Sequence, residues 1–131
     1  MILSFKQQFV EPILNGSKIH TIREDTPGRW KAGNSIQAAT GVRTKNYNCF
    51  FESECKSTQK IIMQYRPGSV CLDVTIDGRL LNWEWRRQLA LFDGFDSWLD
   101  MYNWFYPIIE KKTNQTFVGK IIHWTDFKYK A

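Results

Sequence analysis

The first quarter of the chain combines a short apolar run with a helical pattern. Residues 1–5 are mostly apolar and suit a strand. Over residues 7–15 apolar side chains recur at helical spacing, and Gly16 follows as a residue that can end a helix in the left-handed conformation. Pro12 lacks a backbone donor, so this helix is expected to be short or bent. Residues 21–23 then have the pattern of an extended segment.

Between residues 35 and 76 the pattern becomes that of β-strands. Aromatic and β-branched residues dominate short segments separated by Gly, Asn, Ser or Pro, which is typical of strands joined by turns. The pair Asp77-Gly78 is a strong hairpin signal after the last segment. The pattern predicts strands over residues 36–40, 47–54, 59–65 and 70–76.

Two helices are predicted late in the chain, each preceded by a capping residue. In the first, Trp83 and Trp85 do not share a face, so one of them is expected to be exposed or to lie over a cleft. The second carries an apolar stripe expected in the core, formed by Trp98, Met101, Tyr102 and Phe105. The predicted helices cover 83–92, with Asn82 as N-cap and Gly94 after the end, and 97–106, with Asp96 as N-cap and Pro107 as the end.

A long final strand over residues 116–129 completes the pattern. The order of elements predicts one α+β domain over residues 1–131, a length typical of single domains. Short strands must hide their edges from other chains. We therefore expect a small mixed β-barrel of five or six strands with helices on its rim.

Composition excludes several classes of protein. With 43% hydrophobic and 15% aromatic residues, the chain is not of the disordered type. No apolar run approaches the roughly 20 residues that cross a bilayer. Lys6 interrupts the apolar stretch that a signal peptide would need at the start of the chain. We expect a cytoplasmic protein that binds no membrane. Three cysteines at spacings unlike those of zinc sites are expected to be reduced thiols, and neither a metal nor a cofactor is predicted.

The positive charge lies in one half of the chain. Residues 1–66 contain ten Lys or Arg and five Asp or Glu, whereas residues 67–131 contain eight of each. A localised positive field suits a polyanion, of which RNA or DNA is the commonest. A solvated basic surface without a partner accounts for the same excess.

The densest group of polar residues follows the first predicted helix, over residues 16–25. If residues 21–23 are extended, Thr21 and Arg23 point to one face, and Lys18 lies in the preceding turn. An amine whose pKa is lowered by burial or by a neighbouring cation can activate a threonine hydroxyl as a nucleophile. The alternative is a solvated turn, with Thr21 present only because threonine favours β-strands.

This segment resembles the signature of the ASCH superfamily, whose fold is a PUA-like β-barrel. The residues that carry the resemblance are Ile13-Leu14, Gly16-x-Lys18-x-x-Thr21-Ile22-Arg23 and Trp30-Lys31-x-Gly33-Asn34. A later stretch, residues 89–101, resembles the family's helical element, in which an acidic residue precedes a Gly-Phe-like turn. The resemblance covers most of the chain and is loose over residues 41–69.

Motifs of this kind are closest to those of small bacterial amidohydrolases that deacetylate N(4)-acetylcytidine. The resemblance implies that Lys18 is the proton acceptor, Thr21 the nucleophile and Asp93 the acid. The family has Glu at the acidic position, so Asp93 is one methylene shorter. Arg23 or backbone N–H groups would then stabilise the oxyanion.

A binding module is the competing interpretation, since PUA-like barrels commonly hold RNA. The ligand would be a nucleoside, nucleotide or RNA. Basic side chains would contact phosphates and an aromatic ring would stack on a base. A ribonuclease that uses Lys18 and Arg23, or a protein-interaction scaffold with a degenerate pocket, would also fit. The residues predicted to bind the ligand are Arg23, Arg29, Trp30 and Lys31, and Tyr47 is a second candidate for stacking.

Overall fold

Two β-sheets and three α-helices are present in the computed structural model, which describes residues 1–65 and 72–130 of this α+β protein. The strands are β1 (Ile2–Ser4), β2 (His20–Arg23), β3 (Ser35–Thr40), β4 (Asn48–Glu54), β5 (Ser57–Tyr65), β6 (Leu72–Ile76), β7 (Arg79–Leu80) and β8 (Thr116–His123). The helices are α1 (Val10–Leu14), α2 (Trp83–Phe92) and α3 (Trp98–Glu110), with short 3-10 turns at Gln7–Phe9 and Thr113–Gln115. Among these helices, none has the length and apolar character required to span a bilayer.

The sheets differ in size. The smaller has the order β1-β3-β4, with β1 parallel to β3, and the larger has the order β2-β8-β5-β6-β7 with antiparallel pairing throughout. The last strand, β8, lies inside the larger sheet, where it pairs with both β2 and β5. This placement brings residues from near both ends of the chain together.

The expected barrel closure is wrong for the described residues, because neither sheet closes on itself. On one side the sheets are joined covalently, since β4 and β5 are separated only by Cys55 and Lys56. On the other side the edge strands β1 and β2 do not pair. There the Arg23 guanidinium donates a hydrogen bond to the Ser4 carbonyl over 2.6 Å, so a side chain takes the place of a strand pairing.

The core fills the space between the sheets and beneath the helices. Apolar side chains from both sheets are buried there, together with Ile13 of α1 and Leu89 of α2. Met101 and Phe105 of the predicted apolar stripe are also buried, which confirms the core face of α3. Both Trp83 and Trp85 are exposed, whereas the pattern predicted that for one of them.

Several predicted boundaries shift. Helix α1 is short as expected, and Pro12 lies in its first turn, where a backbone donor is not needed. Helix α3 starts after Ser97, whose hydroxyl accepts a hydrogen bond from the Asp100 N–H, so the cap predicted at Asp96 was wrong. The helix also continues through Pro107, because packing of its buried face against the core maintains it.

The predicted final strand ends early, at His123. Beyond it, Gln59 holds the chain in place of a neighbouring strand: its side chain accepts from the Tyr129 N–H at 2.8 Å and donates to the Tyr129 carbonyl at 2.7 Å. The first two residues of the strand predicted over 70–76, including Cys71, lie outside the described residues. Cys49 and Cys55 are free thiols.

Candidate functional site

A cleft of about 1020 Å³ opens where β1 and β2 fail to pair. Four of the residues predicted for the site, Lys18, Thr21, Arg23 and Asp93, line it together. Seven of the residues that line it are aromatic: Phe5, Phe9, Tyr47, Phe95, Trp104, Phe105 and Phe117. The connection between β3 and β4 therefore contributes to the cleft through Tyr47 and its neighbours.

The turn after α1 places Lys18 at the bottom of this cleft. Gly16 has a φ of 85°, in the left-handed region that ends helices, and the Lys18 N–H donates to the Pro12 carbonyl at 2.9 Å. The next residue, Ile19, donates its N–H to the Phe92 carbonyl at the end of α2. The first bond closes the turn onto α1, and the second holds it against the end of α2, immediately beside Asp93.

Lys18 and Asp93 form a buried pair. The Lys18 Nζ atom is 2.6 Å from the Asp93 carbonyl oxygen and 3.3 Å from its Oδ1 atom. The amine also lies over the ring of Phe9, 4.8 Å from its centroid. Burial lowers the pKa of Lys18, while the charge of Asp93 and the hydrogen bond to it act in the opposite direction. Both acceptors of the Lys18 amine therefore belong to Asp93.

His20 and Tyr129 extend this pair into a chain of four side chains. The His20 Nδ1 atom is 3.0 Å from Asp93 Oδ1, and His20 Nε2 is 2.8 Å from the Tyr129 hydroxyl. Burial lowers the pKa of His20, so the ring is neutral. The neutral ring can then donate Nδ1–H to Asp93 Oδ1 and accept at Nε2 from the Tyr129 hydroxyl. Sequence reasoning missed this role of His20 and Tyr129.

Thr21 and Arg23 lie on the β2 side of the cleft. The Arg23 Nε–H donates to the Thr21 hydroxyl at 3.3 Å, and the guanidinium carbon lies 4.8 Å from the Phe5 ring centroid. Among the hydrogen bonds of the described residues, none joins Thr21 directly to Lys18, whose donors face Asp93. The hydroxyl and the amine therefore share the cleft and act on each other only around a ligand or a water.

The other three predicted ligand-binding residues do not line the cleft. Arg29 and Lys31 are exposed in the turn before β3, and Trp30 is buried in the core. Asp25 organises this turn by accepting the backbone N–H groups of Arg29 and Trp30. Burial alone would raise the pKa of Asp25, but these bonds and the Lys120 ammonium lower it to about 2.

A second buried polar group lies behind the site. The His123 Nε2–H donates to the Gln59 Oε1 atom at 2.9 Å, and the ring stands 5.3 Å from that of His20. The His123 Nδ1 atom is buried and has no hydrogen-bond partner in the described structure. Burial, with the charge of Lys128 and the proximity of His20, lowers the pKa of His123 to about 3. The ring of His123 is therefore neutral near pH 7.

Substitution of Gly94 is expected to displace Lys18. Gly94 has a φ of 90°, and a Cβ atom there would lie 2.8 Å from Lys18 Cδ. The Gly94→Ala variant should lose about 1 to 2 kcal/mol to left-handed strain, with a further loss from the contact. Gly28→Ala is the matched control, since Gly28 has a φ of 71° and open space around it. Equal losses in chemical denaturation of the two variants would contradict the close approach.

The described residues hold no group of three metal-ligating side chains. The convergent polar atoms are instead those of an amine, a carboxylate, a hydroxyl and a guanidinium. Comparisons of the chain with protein-family models, curated proteins and solved structures found no match.

Proposed function

We propose that this is an ASCH-type, PUA-like domain whose cleft binds an acylated nucleoside and hydrolyses its exocyclic amide, with N(4)-acetylcytidine as the preferred substrate. The observation that carries the proposal is the placement of Lys18. A buried amine beside a carboxylate lines the same cleft as a threonine hydroxyl and several aromatic rings. The resemblance of residues 16–23 to the ASCH signature supports the choice of substrate class.

In the first half of the reaction, the Thr21 oxygen attacks the acetyl carbonyl carbon while Lys18 Nζ takes the hydroxyl proton. A neutral amine that donates both N–H groups to Asp93 keeps its lone pair for this proton. The ammonium so formed is stabilised by the Asp93 carboxylate. The proton passes from the Thr21 hydroxyl to Lys18 through the substrate or a water, because no direct hydrogen bond joins these two described residues.

Collapse of the tetrahedral intermediate breaks the carbon–nitrogen bond. The Lys18–Asp93 pair returns the proton to the leaving amine nitrogen, and the acetyl group remains on Thr21 as an ester. Water then attacks the ester carbon, giving one proton back to the Thr21 oxygen through Lys18, and acetate leaves. The Arg23 guanidinium, already 3.3 Å from the Thr21 hydroxyl, is the cation nearest to the developing oxyanion.

The Thr21→Val variant tests the proposed nucleophile. We expect the purified protein to release acetate from N(4)-acetylcytidine and the variant to be at least about 100-fold slower, because valine keeps the shape but has no hydroxyl. Thr113→Val, at an exposed turn, is the control and should keep full activity. Chromatographic separation of cytidine from its acetylated form measures the rate. No turnover by the wild-type protein, or full turnover without the Thr21 hydroxyl, would end the proposal.

Binding of a nucleotide or RNA segment without turnover is the second candidate function. It is favoured by Lys6, Arg43 and Tyr47, which line the cleft in addition to Lys18 and Arg23. Tyr47 is 46% exposed, so its ring is available to stack on a base. Saturable binding of cytidine 5′-monophosphate in equilibrium dialysis, together with no acetate release, would select this function over hydrolysis.

A further inference from the structure

A second groove, of about 400 Å³, lies on a part of the surface that shares no residue with the cleft. It is formed where the turn between β7 and α2 meets the segment after β8. Its lining is basic and aromatic, and consists of Arg79, Leu80, Leu81, Asn82, Trp85, Phe127, Lys128, Tyr129 and Lys130.

The charge of this groove has one sign. Arg79, Lys128 and Lys130 are exposed, and among the described residues no carboxylate lines the groove. None of these three cations takes part in the ion pairs found within the described residues. The described part of the groove therefore presents three cations and no acidic side chain, which favours an anionic ligand.

Its aromatic side chain is held in a fixed position and remains accessible. Trp85 is 45% exposed and packs edge-to-face on the buried ring of Tyr129, with the centroids 6.1 Å apart. Leu80, which lines the groove, is 56% exposed, and Trp83, which follows the lining residue Asn82, is 69% exposed. Large apolar side chains clustered on a protein surface mark interaction sites. A fixed, accessible indole beside cations offers a stacking face next to phosphate-binding groups.

We propose that this groove binds single-stranded nucleic acid, with a base stacked on Trp85 and neighbouring phosphates held by Arg79, Lys128 and Lys130. Nucleic acid supplies both a flat ring and regularly spaced negative charges, and sequence-tolerant binders use this pairing of stacking and charge. An acidic peptide would satisfy the cations and leave the indole without a flat partner. A membrane surface would meet the protruding Trp83 but not the cations inside a concavity. The proposal is independent of the activity assigned to the cleft.

Fluorescence anisotropy of a labelled oligouridylate tests the proposal. A length of about 12 nucleotides lies within the usual range of binding-site sizes for single strands. The wild-type protein should bind with an affinity that falls steeply between low and moderate salt. The double variant Lys128→Gln/Lys130→Gln should reduce the slope of log K against log salt by about 1.4, because each lost phosphate contact on a single strand contributes about 0.7. Trp85→Leu should weaken binding at least about fivefold.

Two control variants locate the binding. Lys111→Gln removes an exposed charge from the end of α3, outside the groove, and should leave affinity and slope unchanged. Arg43→Gln changes the cleft alone and reports whether the oligonucleotide binds there. Loss of binding in Arg43→Gln with none in the groove variants would place the oligonucleotide in the cleft and overturn the proposal. Absence of oligonucleotide binding, or binding only to phosphatidylserine vesicles, would overturn it as well.

Discussion

Replacing Asp93 by leucine is expected to lower the free energy of unfolding by about 2 to 6 kcal/mol, because two buried donors lose their acceptor at a cost of about 1 to 3 kcal/mol each. The Asp93 Oδ1 atom is the acceptor for both Lys18 and His20, which are themselves buried. Leucine would leave the His20 Nδ1–H without an acceptor and the Lys18 amine with the backbone carbonyl alone. Chemical denaturation followed by far-ultraviolet circular dichroism measures the loss.

Two further variants separate this effect from a general sensitivity of the helix end. Asp93→Asn keeps one side-chain oxygen as an acceptor and should lose clearly less than Asp93→Leu. Asp96→Leu removes an exposed carboxylate three residues later and should change stability by no more than about 0.5 kcal/mol. If Asp93→Leu were as mild as Asp96→Leu, Asp93 would not be the acceptor that organises the site.

Stability should fall as the pH is lowered from 6.5 towards 3, because the two histidines are buried in the neutral form. The pKa of His123 is about 3 in the folded protein and 6.5 in the unfolded chain, so the unfolded state binds the extra proton throughout this interval. The contribution of His123 to the free energy of unfolding is therefore complete above pH 6.5 and is lost as the pH falls towards 3. The pKa of His20 is lowered as well and adds in the same direction. Each histidine contributes a slope of up to about 1.4 kcal/mol per pH unit.

Denaturation midpoints between pH 6.5 and about 4.5, above the range in which most carboxylates titrate, measure this slope. The His123→Gln variant keeps a side-chain donor for Gln59 but does not titrate, and should reduce the slope by about one proton. A variant slope equal to that of the wild type would show that His123 is protonated in the folded state.

Local chemistry in the sequence predicted most elements of the fold, and long-range packing decided the rest. The Asn82 cap was confirmed because capping involves only neighbouring residues, and its side chain accepts the Trp85 N–H as expected. Pro107 did not end α3, because the buried face of the helix continues to Ile109. Barrel closure requires, among other pairings, that β1 pairs with β2. The local sequence pattern does not predict that these two edge strands stay unpaired.

The same division applies to the candidate site. The spacing of Lys18, Thr21 and Arg23 sufficed to bring them to one cleft, because a tight turn and a short strand join them. Asp93 lies 75 positions from Lys18 and was placed only by the resemblance of its segment to a known family. The contact of His20 with Tyr129 spans 109 positions, and depends on a segment that leaves its sheet after β8.

The interior position of β8 has a consequence for how the protein forms during synthesis. Both neighbours of this strand, β2 and β5, precede it by at least 50 positions, so β2 cannot join the rest of the larger sheet until β8 has left the ribosome. Contacts of such long sequence separation slow folding. His20 gains its hydroxyl partner later still, when Tyr129 emerges. The apolar strands made before β8 therefore lack part of their sheet until β8 is synthesised, and the hydrogen bond of His20 to Tyr129 forms only afterwards.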